Sequence, residues 1–193
     1  MTPRFTRAAT ALALILPAQS ATALTPEEAW ASIEALSSSY GQTVTVAGTD
    51  RSGDTLTVSG ITYAMTVADG PTVTATVGSA TFRDRSDGTV EITYPAGYEA
   101  LIAFPEGADG PKSLTLAVTW DQLSIIGSGT AEAAIFDMTA AAMTFTAKDI
   151  VDQDGTALDM SGVATLTGLS GGYSAQPGGT VTTFTNDMTA ETM

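Results

Sequence analysis

The chain has 193 residues and a formal net charge of −14, from 21 acidic and 7 basic side chains, with no histidine and no cysteine. Such an acidic surface repels nucleic acid and anionic lipid headgroups at long range. The missing His and Cys remove the commonest general base, the commonest transition-metal ligand, the thiol nucleophile and every disulfide, which points away from an enzyme and leaves no cofactor to expect.

Residues 1–23 read as a secretory signal peptide. Arg4 and Arg7 form a positive n-region, Ala8 to Leu16 a short apolar stretch broken by Pro17, and Ala21-Thr22-Ala23 an A-x-A cleavage signal. The apolar run is about half of the roughly 20 residues that span a bilayer, so a membrane-spanning helix is not expected. Cleavage after Ala23 implies a periplasmic address, with an extracellular one as the alternative. The remainder is long enough for one domain with its own core.

Residues 24–41 predict one helix. Thr25 suits the N-cap, Pro26 the first helical position and Glu28 the reciprocal acid of a capping box. Trp30, Ile33, Leu36 and Tyr40 then recur at helical spacing, and Gly41 supplies the stop.

From Gln42 the period changes to two. Leu56 and Val58 alternate with Thr55, Thr57 and Ser59, and the same pattern continues through Ile61 to Val67, Val73 to Val77, Val90 to Tyr94 and Leu114 to Trp120. One buried face and one Thr-rich face are the signature of antiparallel strands. Asp69-Gly70, Asp87-Gly88, Asp109-Gly110 and Asp154-Gly155 separate the apolar runs, because Asp and Gly tolerate the positive φ of tight turns. The expectation is an all-β (mainly β) domain over residues 42–193: a long, curved antiparallel meander with the helix packed on it.

Two glycines interrupt the alternation. Inward positions are even before Gly60 and odd after it; they are odd before Gly78 and even after it. Bulges at these glycines would make segments 54–68 and 71–85 single long strands, kinked in the middle. After Gly127 the pattern weakens. Segments 133–147 and 158–169 are expected to continue the sheet, although Ala131 to Ala142 also admits a helix. Gly168 to Gly179 reads as a Gly/Ser/Pro-rich loop.

No motif carries a recognisable chemistry. Asp149, Asp152 and Asp154 before Gly155 resemble part of a calcium loop, yet no Glu closes it and a solvated turn is the expectation. Lys112 and Lys148 lack a Ser-x-x-Lys helix, and Asp121 beside Trp120 is the one acid near an aromatic. An outer-membrane barrel would need an apolar lipid face with aromatic girdles, where this chain offers threonine. A curved sheet must bury its apolar face against a second layer, a partner or a ligand. Met65, Phe82, Trp120, Met138, Met143 and Phe145 are large, adaptable side chains suited to an apolar groove. The groove would hold a lipid acyl chain or a segment of an envelope-protein partner. The alternative is a structural envelope or cell-surface module with no small-molecule ligand.

The Leu24-Thr25-Pro26-Glu27-Glu28-Ala29-Trp30 helix start, the Tyr40-Gly41-Gln42 exit and the strand Arg51 to Gly60 resemble the N-terminal portion of an uncharacterised exported Gram-negative family, known as domain of unknown function 2125. The resemblance implies an exported, β-rich protein and, because members are longer, the N-terminal part of a larger chain. It implies no activity, cofactor or binding residue.

Overall fold

Thr25 sits in extended backbone and accepts a hydrogen bond from the Glu28 amide, while the Glu28 carboxylate accepts one from the Thr25 amide at 2.9 Å. This reciprocal box starts helix α1 (Pro26–Ser39), and Gly41, at φ +74°, ends it. The computed structural model describes residues 23–107, 110–175 and 185–189. The expected leader up to residue 22 and Asp109 of one expected turn lie outside the described residues.

Beyond α1 the described chain is strand. In order come β1 (Thr43–Thr45), β2 (Gly48–Ser52), β3 (Thr55–Thr66), β4 (Thr72–Asp84), β5 (Val90–Thr93), β6 (Gly97–Ala103), β7 (Ser113–Asp121), β8 (Ser124–Thr130), β9 (Ala133–Val151), β10 (Gly162–Ala175) and β11 (Thr185–Thr189). All join one antiparallel sheet. The stretch from Ala131 to Ala142 that admitted a helix belongs mostly to β9, a strand of 19 residues. The loop expected from Gly168 to Gly179 is overturned as far as Ala175, where β10 ends; residues 176–179 lie outside the described residues. Its glycines let the backbone lie against β9: a Cβ on Gly172 would come within 3.0 Å of the Phe136 carbonyl oxygen.

The ladder is a meander of long strands, several of them interrupted. β5 and β6 both pair with the same edge of β4, one with its second half and one with its first. β7 and β8 share an edge of β9 in the same way, without a change of register. The interruptions fall in line across the sheet. Val46-Ala47 parts β1 from β2, Gly60 bulges from β3, Gly78 marks the shift in β4, Pro95 parts β5 from β6, Gln122 parts β7 from β8, and Gly168 interrupts β10. β9 crosses this line unbroken at Ala140-Ala141-Ala142, opposite Gly168. The result is a crease running across the strands.

The glycines explain the parity changes. Ser59 pairs with Ser79, Ile61 with Gly78, and Thr62 with Thr76. The extra residue in β3 is therefore matched by one in β4, and the register recovers while both strands turn their other row inward. Gly60 (φ +63°), Gly78 (φ +87°) and Gly168 (φ +64°) all adopt left-handed backbone, which costs a residue with a Cβ about 1–2 kcal/mol.

On one side of the crease the concave face is filled. Trp30, Ile33, Ala29 and Leu24 pack against Leu56, Val58, Phe82, Val90, Ile92 and Phe136. The Trp30 ring meets Phe82 edge-on at 5.7 Å. Helix α1 touches β1, β3 and β4 near one end of the sheet and β10 near the other. A 14-residue helix is only about 21 Å long, so the sheet must curl strongly for both ends to reach it. Arg51 adds ion pairs to Glu27 of α1 at 3.2 Å and to Asp84 at 2.6 Å. These are exposed, and each is worth under about 1 kcal/mol.

Candidate functional site

On the other side of the crease no helix among the described residues covers the concave face. An open cavity of about 430 Å³ lies there, within the roughly 300–1,000 Å³ typical of small-molecule sites. Its floor comes from the inward rows of β3, β4 and β6: Tyr63 and Met65, Val73 and Ala75, Ala100 and Ile102. Leu116 and Trp120 of β7 and Met143 of β9 form the far wall, with Ile125 and Met138 at the crease. None of the described residues lining it carries a formal charge.

Of the six residues expected in a groove, Met65, Trp120, Met138 and Met143 line this cavity. Phe82 does not. It is 0% exposed, in the core beneath Trp30, because it lies beyond Gly78 on the helix-covered side of the crease and the bulge there turns its row inward. Phe145 pairs with Val118, two residues from Met143 and on its face, but lies outside the cavity lining.

Tyrosine is the feature that alternation alone did not single out. Tyr63, Tyr94, Tyr98 and Tyr173, four of the five in the chain, converge where the filled half meets the open one. Tyr98 faces Trp120 at 6.0 Å, and Tyr173 stacks on Phe136 at 4.7 Å. The Tyr63 and Tyr94 hydroxyls pair with each other. The available signal was their position: Tyr63 and Tyr94 sit on inward rows, where a phenol must find a partner for its hydroxyl.

Burial raises the pKa of all four phenols, most strongly that of Tyr94. A raised folded-state value means the native state holds its proton longer than the unfolded chain does. The stabilisation is therefore complete below about pH 10 and is lost as pH rises through the folded values. Tyrosinate absorbance is expected to appear together with loss of the sheet's circular dichroism above about pH 10. Ionisation of these tyrosines with the fold intact would contradict their burial.

The other candidate sites resolve as turns and surface. The Asp152 carboxylate accepts hydrogen bonds from the amides of Asp154 and Thr156, at 3.0 and 2.7 Å, and so closes its own loop. No group of three or more potential metal ligands occurs among the described residues. Asp121 is exposed and, next to Trp120 in β7, points to the opposite face. No helix among the described residues is long and apolar enough to cross a membrane. Compared with known proteins, the chain matches no family model, no curated protein and no solved structure.

Proposed function

We propose that this is an exported envelope protein, without catalytic activity, that holds an acyl chain in the open half of its curled sheet. One observation carries the proposal: an apolar cavity of about 430 Å³ left uncovered by α1 and walled by methionine and aromatic side chains. A buried methylene contributes roughly 0.8 kcal/mol, so a chain lying along this floor gains affinity without directional contacts. An extended peptide segment suits the site less well. It would bring a backbone N–H and C=O with every residue, and the lining offers few polar partners beyond Gln42 and the tyrosine hydroxyls. The secretory features of residues 1–23 support the periplasmic address.

Ala75 lies mid-floor, paired with Tyr63 on one side and Ala100 on the other. Protein purified without detergent is expected to yield lipid on extraction and to bind a neutral solvatochromic dye. Ala75→Trp should abolish dye binding and leave the circular dichroism unchanged. A monomer with no co-purifying lipid and no dye binding would instead favour the structural module.

A further inference from the structure

Resting on that reading, we infer that the occupant is an uncharged lipophile bearing a carbonyl, such as a fatty acyl ester, and that the Tyr63–Tyr94 hydroxyl pair donates a hydrogen bond to that carbonyl. Both tyrosines line the cavity, and neither faces a formally charged residue among those lining it. A phenol has one proton and two acceptor sites. One of the pair's two protons is used between them, which leaves the other to be donated. Among the described lining residues the side chains with an oxygen acceptor are Gln42 and the other tyrosines. The pair thus presents a donor at an otherwise apolar floor, which is the arrangement that orients a ligand's single polar group.

Electrostatics selects against an anionic head. An ionised carboxylate placed here would meet no Lys or Arg among the described lining residues, and a charge buried without a partner is strongly disfavoured. A head that enters the cavity must therefore be neutral, and an acceptor is what the pair can serve. The wall formed by Tyr98 and Trp120 at 6.0 Å gives flat surface for the alkyl part.

The test is displacement of a bound neutral dye from the full chain by three probes: methyl palmitate, palmitate at about pH 9, where the acid is ionised, and dodecane, which has no head. Methyl palmitate is expected to displace at a concentration at least about tenfold lower than palmitate. Tyr63→Phe and Tyr94→Phe should each weaken methyl palmitate by roughly three- to tenfold, the range for one hydrogen bond, and leave dodecane unchanged. Tyr40→Phe, at an exposed position, should change neither. Equal displacement by palmitate and its ester, or an ester affinity indifferent to Tyr63→Phe and Tyr94→Phe, overturns the head-group inference while the groove stands. Failure of dodecane and ester alike in the wild-type chain overturns the groove itself, and this inference with it.

Discussion

Trp30→Ala is expected to destabilise the protein by about 3–5 kcal/mol, the range for removing a buried aromatic. The side chain is 6% exposed and rests edge-on against Phe82 at 5.7 Å. It is the largest contribution that α1 makes to the core, and α1 is the element that reaches both ends of the curled sheet. Its removal leaves a cavity over Phe82 that the surrounding strands, held by their ladders, cannot close. Total stabilities of single domains are about 5–15 kcal/mol, so the loss is a large share of the whole. A urea unfolding series gives the number directly. A change below about 1 kcal/mol would mean that the helix is not what seals the filled half.

Gly60→Ala is the second large effect, expected at about 2–4 kcal/mol from left-handed strain and overpacking together. A Cβ at Gly60 would stand 2.6 Å from the Ala47 Cβ and 3.2 Å from its backbone nitrogen, and the residue holds φ +63°. Ala47 cannot retreat easily, because its amide is hydrogen-bonded to the Ser59 carbonyl at 2.8 Å. Gly48→Ala is the matched control, with nothing within 4 Å of its Cβ and no left-handed φ. It is expected to change stability by under about 0.5 kcal/mol. The two variants should also separate in function. If the bulge relaxes, the row carrying Tyr63 and Met65 loses its inward direction, so Gly60→Ala should lose dye binding more than its loss of stability explains. Equal stabilities for the two variants would remove the crease as a determinant of the fold.

Local backbone chemistry was legible from residue spacing. The capping box of Thr25 and Glu28, the stop at Gly41, the change from helical to strand period and the inversions at Gly60 and Gly78 each depend on neighbours within a few positions. Each is present in the fold as the pattern implied. Where signals were weak, composition misled. The glycines of 168–175 read as a loop, although in β10 they allow a close approach to β9 and the stacking of Tyr173 on Phe136.

The sequence by itself determined that this chain makes one helix and a long antiparallel sheet with an apolar row turned inward. Which parts of that row are covered was decided only by the tertiary structure. Phe82 and Met65 have the same alternating context in the chain, yet one lies under Trp30 and the other lines the open cavity. The difference is the crease, which arises because interruptions in separate strands align when the ladder forms, and because a short helix can span only one side of it. The tyrosines show the same limit, since Tyr63 and Tyr173 stand 110 residues apart in sequence and reach the same core cluster only when the sheet curls. Spacing along a chain encodes the direction a side chain takes from its own strand; the curl of the sheet, summed over many strand pairs, sets what that side chain meets.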